Sequence, residues 1–155
     1  MYKEMMDIVS ELYKNNNKAI RGVLRGIIDD TYTNTLDIAS KATGKRIKGI
    51  LKPVDVTKTI NNEMAGLKWT ERMGKHRIDA IYDLQKEIKL GLTQGDTYGT
   101  MAKRIKNKLE TDINKANQIT RTEGHRCMAQ AKEDSFDVIE KAGIKFKKKW
   151  LSSQD

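Results

Sequence analysis

Apolar side chains recur at three- and four-residue intervals over most of this chain, a period that predicts helices. Met5, Ile8, Val9 and Leu12 form a first amphipathic set, interrupted by Asn15, Asn16 and Asn17. Ile20, Val23, Leu24, Ile27 and Ile28 resume the pattern. Thr31 to Thr35 is a β-branched, polar patch of weak helix formers, where a kink or break is expected. Leu36, Ala39 and Ala42 carry the pattern on to Gly44, a natural helix end. Ile47, Ile50 and Leu51 fit a short helical turn that stops before Pro53, the single proline. Ile60, Met64 and Leu67 make the next repeat.

The second half is more regular. Thr70 is a candidate N-cap for a helix whose stripe is Ile78, Ile81, Leu84 and Ile88. Gly91 and Gly95 bracket Leu92-Thr93-Gln94 as its end and a loop. Asp96 is a candidate cap for a helix carrying Tyr98, Met101, Ala102, Ile105 and Leu109, and Asp112 for a last helix over about 113–142 that Gly143 stops. Beyond Gly143 the period becomes two. Ile144, Phe146 and Trp150 fall on one side and Lys145, Lys147 and Lys149 on the other, a strand pattern. A lone strand has no partner for its backbone groups. The chain therefore reads as cut near Asp155, ahead of the strands that would pair with it, or as pairing with another chain.

Composition narrows the class. The length, 155 residues, suits one domain or one domain with an arm. A single cysteine, Cys127, excludes an internal disulfide and a zinc site built on several thiolates. No apolar run approaches the roughly 18–20 residues of a membrane span, and Met1 to Glu4 does not open a signal peptide. A reducing cytoplasm, or a particle assembled there, is the expected setting. Net charge is +9, and residues 101–155 carry the largest excess, with Lys145, Lys147, Lys148 and Lys149 supplying much of it. Such a surface suits nucleic acid or an acidic protein partner.

Chemistry is sparse. The chain has no phosphate loop, dinucleotide fingerprint, zincin helix or nucleophile turn. Its two histidines, His76 and His125, fall in different predicted helices, so no local metal pair forms; no metal, cofactor or catalytic residue is expected. The densest polar cluster is Thr120 to Arg126. Helical stepping puts Glu123 on or beside the buried face, where an unpaired carboxylate is costly. Arg126, three residues on, is the expected partner, and Arg121 points toward another segment. Gly124 costs roughly 1 kcal/mol in mid-helix and makes sense under a closely packed neighbour. Arg121, Glu123, His125 and Arg126 are therefore expected to form a structural polar network, with Cys127 in the core. Trp69 and Trp150 read as core anchors. Lys145, Lys147, Lys148 and Lys149 are the candidate DNA or partner contacts.

The second half also resembles the phage head morphogenesis family, the Mu F-like minor head proteins. The likeness rests on Trp69, Arg72 and Ile78, on Gly91-Leu92-Thr93-Gln94-Gly95, and on Tyr98 and Ile105. It continues through Ala116 to Arg126, with its Arg121-Thr122-Glu123 string, and through Gly143 to Trp150. It covers about residues 65–155. In that family this strand leads into further strands, which are missing here. Some members carry C-terminal toxin domains, including ADP-ribosyltransferase-like ones. The resemblance implies a non-catalytic head component at the portal vertex, with portal protein as partner. It adds double-stranded DNA, capsid or scaffold proteins and self-association as further contacts, no membrane, and a location in the virion head or in the host cytoplasm during assembly. It supplies no catalytic residues.

The expected fold is thus mainly α: a helical N-terminal arm over 1–64, then a helical body over 65–155 ending in the start of a small β-sheet. Two rival readings are a free-standing basic nucleic-acid-binding helical module and a nuclease or transferase fragment that would need Glu123 or His125.

Overall fold

The computed structural model describes residues 2–147, which fold into four helices. α1 spans Tyr2–Thr43, α2 Pro53–Asn61, α3 Trp69–Gln94 and α4 Tyr98–Lys141. The two longest, α1 and α4, lie against each other over the largest shared face, α3 packs on both, and α2 bridges α1 and α4.

α1 runs unbroken through both expected interruptions. Asn15 and Asn16 are exposed, so each costs only its intrinsic propensity, a fraction of a kcal/mol. The core-facing positions Val9, Ile20, Leu24, Ile28, Tyr32 and Leu36 are all buried and continue across the gap. In the threonine patch, Thr35 Oγ1 donates to the Thr31 carbonyl at 2.7 Å, so the hydroxyl is satisfied inside the helix. Tertiary burial along one stripe outweighs weak local propensity here.

Between α1 and α2 the expected helical turn is absent. Gly44, at φ 65°, ends α1, and residues 46–52 run without helix. Ser40 Oγ takes the Ile47 N–H at 3.0 Å and turns Ile47 into a cluster with Tyr32, Leu36 and Ile139, while Ile50 is left 87% exposed. Pro53 opens α2 as its first residue, where its missing N–H is harmless. The expected Ile60–Met64–Leu67 repeat is likewise broken. Met64 and Leu67 exchange backbone hydrogen bonds of 3.0 and 3.3 Å around Ala65 and Gly66, both at positive φ.

α3 starts one residue before Thr70. The Glu71 carboxylate accepts the Lys68 N–H at 2.6 Å, so Lys68 is the cap position. The loop expected at Leu92–Gln94 is helix: α3 runs on past Gly91, which is buried, and closes at Gly95 with φ 71°. Thr97, not Asp96, caps α4 through its hydroxyl, which accepts the Thr100 N–H. Asp96 instead binds Arg104 at 2.9 Å, with Glu87 3.8 Å from the same guanidinium. Asp112 caps nothing, because α4 continues straight through it. It sits 4% exposed in mid-helix, and its carbonyl receives His76 Nε2 at 2.9 Å.

The expected strand is not seen. Among the described residues there is no strand, and residues 144–147 leave α4 as coil after Gly143 at φ 76°. The alternation is nevertheless used. Ile144 and Phe146 pack on the Tyr32–Leu36–Ile139 cluster, with the Phe146 ring 4.8 Å from that of Phe136. A period of two needs only one apolar side, and helices supply it here. Trp150, Lys148 and Lys149 lie outside the described residues.

The main core joins Leu24 and Ile28 of α1, Val56 and Ile60 of α2, Trp69 and Met73 of α3, and Ala116, Cys127 and Ala131 of α4. Trp69 is 1% exposed, with the Arg21 guanidinium carbon 6.0 Å from its ring centre.

Candidate functional site

The polar cluster of α4 divides by its position on the helix. Glu123 is fully buried and Arg126 is partly buried; Arg121 and His125 point to solvent, outside the cluster. Glu123 Oε2 accepts from Arg126 Nε at 2.8 Å, the i,i+3 partner that helical stepping predicts. Its other oxygen accepts from an Arg72 terminal nitrogen on α3. Arg126 also donates to the Ile60 carbonyl at 3.2 Å, near the C-terminus of α2. One carboxylate thereby links α2, α3 and α4.

α1 closes the node from the fourth side. Gly124 is buried, and a Cβ there would stand 3.2 Å from Ile27 Cδ1. The glycine admits the α1 side chain at a distance alanine would crowd. Two guanidinium groups on one carboxylate leave an excess positive charge. Burial, and then Arg126, lower the Arg72 pKa from its ordinary value, but an arginine remains charged at any physiological pH. The Arg72 Nε is buried without a hydrogen-bond partner, so the second arginine is held less completely than the first.

The neighbouring Cys127 is 0% exposed, and burial raises its thiol pKa, with Arg126 opposing. That is the environment of an inert core thiol. A second polar cluster was not anticipated from the sequence. His76 meets Tyr13 edge-on at 5.9 Å and the Asp112 carbonyl at 2.9 Å. Burial, with Asp112 beside it, pushes the Tyr13 hydroxyl pKa up to about 12. Lys108 and Asp83 pair at 2.6 Å across α3 and α4.

Chemically, the main node can hold four helices in register. It presents no carboxylate to solvent, since Glu123 is sealed. Among the described residues no group of three or more His, Cys, Asp or Glu side chains is placed to hold a metal ion, and no helix is long and apolar enough to cross a membrane. Lys145 and Lys147 are exposed just beyond α4. Arg72 lies 51 residues from Glu123, beyond the reach of helical stepping; an arginine on the face of α3 that also carries Trp69 and Met73 was the available signal.

Fold and site define a helical module closed around a buried arginine–glutamate node. Two proteins show a distant likeness to it. The chain is 23% identical over 155 residues to Minor head protein GP7 of Bacillus phage SPP1, an alignment covering 97% of this chain and 50% of that protein. It is also 29% identical over 96 residues to NAD(+)--arginine ADP-ribosyltransferase EFV of Enterococcus faecalis, covering 62% of this chain and 20% of that protein. The chain thus spans half or less of these relatives. No protein-family model matches it, and no solved structure matches it.

Proposed function

We propose that the protein is a non-catalytic phage minor head component that associates with the portal protein during head assembly and contacts packaged double-stranded DNA through its basic surface. The observation that carries this reading is the likeness to a minor head protein over nearly the whole chain. The structure supports a scaffolding role for the matched region. The carboxylate that a catalytic reading needs is sealed between two arginines, and His125 stands apart from it on the solvent side.

DNA contact falls to the exposed cations near the C-terminal end. Lys145 and Lys147 are exposed, and Lys148 and Lys149 follow directly in sequence. Phosphate contacts of this kind position without reading sequence. The transferase likeness covers 20% of that protein, so its activity is not carried over to this chain.

Co-expression with the portal protein tests the assembly role. Co-elution as one large complex at moderate salt is the expected result; two separate peaks from folded proteins contradict it. For DNA, replacing Lys145, Lys147, Lys148 and Lys149 by Gln lowers the slope of log affinity against log salt by about 3–4 if all four meet phosphate. An unchanged slope removes them from the interface. An arginine ADP-ribosyl transfer assay with NAD(+) and the isolated chain is expected to give no product. Product lost on Glu123→Gln with the fold intact would establish the enzyme instead.

A further inference from the structure

The first half of α1 carries more apolar residues than the core uses. Val9, Ile20, Leu24 and Ile28 point inward and are buried, whereas Ile8 and Leu12 stand 60% and 58% exposed on another face. That face continues through Asn15, Ala19 and Gly22, all exposed. The steps from Ile8 to Gly22 alternate four and three residues, the seam spacing of a coiled coil. Among the described residues nothing packs on its flat end: a Cβ on Gly22 would meet nothing within 4 Å. Glycine weakens a helix interior, and the packing of this chain gives no reason for it there. The seam is thus bulky at one end and flat at the other. Along its outer edge, at seven-residue intervals, stand Glu4, Glu11, Lys18 and Arg25, all exposed. The acidic pair flanks the bulky end and the basic pair the flat end.

We infer that this face of α1 pairs with the same face of a second copy of the chain, antiparallel, about a two-fold axis. In that register Ile8 lies over Ala19 of the second copy and Leu12 beside its Asn15, while Gly22 receives the N-terminal end of the other helix. Glu11 comes beside Lys18, and Glu4 beside Arg25. The axis makes every contact twice. What selects a second copy is that the two halves of the face complement each other in both bulk and charge, so the face is its own partner. Asn15 is a polar seam position of the kind that fixes register at a cost in stability. A parallel pairing would instead set Glu11 level with Glu11 and Lys18 level with Lys18, with the bulky ends together, so charge fixes the direction. From Ile8 to Gly22 the seam runs only about 21 Å at ~1.5 Å per residue. That is a small contact, so the dimer forms and dissociates with concentration. The inference is independent of the portal and DNA readings.

Sedimentation equilibrium of the full chain is the test. The mass should rise from 17.7 kDa toward twice that value between about 10 and 500 μM and stop there. Glu11→Lys and Lys18→Glu should each weaken self-association at least about fivefold, because like charges then face each other at two places. An equimolar mixture of those two variants should pair more tightly than either alone, and the double variant Glu11→Lys, Lys18→Glu should recover the wild-type affinity. Leu12→Lys should stay monomeric over the same range, and Ile38→Lys, exposed on α1 beyond the seam, should pair as wild type. The substituted positions are exposed, so circular dichroism should show unchanged helix; if Leu12→Lys loses helix, the charge-swap mixture decides. A wild-type chain that stays at 17.7 kDa throughout, assembly beyond the dimer, a folded Leu12→Lys chain that pairs as before, or a mixture no tighter than its single variants would each overturn the inference.

Discussion

Replacing Glu123 by Gln probes the node most directly. The substitution keeps the side-chain shape and one carbonyl oxygen, but removes the negative charge that Arg72 and Arg126 share and turns an amide N–H toward guanidinium donors. The two arginine side chains are 19% and 17% exposed, so neither escapes to solvent without moving. Breaking a buried ion pair costs about 3–5 kcal/mol. The retained carbonyl and the partial access of both arginines reduce this to about 2–4 kcal/mol of unfolding free energy. At roughly 2–4 °C per kcal/mol for a chain of this length, a loss of about 3 kcal/mol lowers the Tm by roughly 6–12 °C. Urea unfolding followed by circular dichroism gives the free energy, with an unchanged m-value showing that the unfolded state is the same. The combined variant Arg72→Met, Glu123→Leu, Arg126→Met removes all three charges at once and should recover most of the loss, because no unpaired ion is left behind. The reasoning is refuted if Glu123→Gln costs under about 0.5 kcal/mol, or if the combined variant is worse than the single one.

Further predictions follow from local geometry. Hydrogen bonding from Lys108 lowers the Asp83 pKa below its ordinary 3.8, so this pair stabilises the fold above about pH 4 and is lost as pH falls through the lower folded value; Asp83→Asn should flatten the acid limb of a Tm-against-pH profile there and leave the rest unchanged. Gly49→Ala drives a Cβ into the Tyr32 hydroxyl and within 2.9 Å of Leu36 Cδ1, an overpacking worth about 1–3 kcal/mol, whereas Gly124→Ala meets only the tip of Ile27 and should stay within about 1 kcal/mol of wild type by urea titration. Burial keeps the Cys127 thiol protonated above its ordinary range, so a disulfide reagent should label it only at the rate of unfolding, and rapid labelling of the native chain would contradict the packing. Phe146→Ala should lower stability by about 1–2 kcal/mol if the segment after α4 packs as coil on Phe136, and by nothing if it is detached.

Helix content, the stop of α4 at Gly143 and the burial of Glu123 beside Arg126 were all legible in the sequence. Each depends on contacts within a few residues: a 3.6-residue period, a left-handed glycine, an i,i+3 pair. The same local reasoning placed breaks at Asn15–Asn17, Thr31–Thr35 and Asp112 that do not exist, because the propensity terms are fractions of a kcal/mol and burial along α1 and α4 is larger. It also turned the alternation after Gly143 into a strand. Alternation fixes which side chains share a side, but not what covers them, and in the structure the cover for Ile144 and Phe146 is the α1–α4 cluster.

What only the tertiary structure decided is who meets whom across long loops. Arg72 reaches Glu123 over 51 residues, His76 reaches Asp112 over 36, and Ile27 fills the space above Gly124. No periodicity encodes those pairings. They follow from the way four helices settle against one another, and a buried carboxylate takes whichever cations that packing brings within reach.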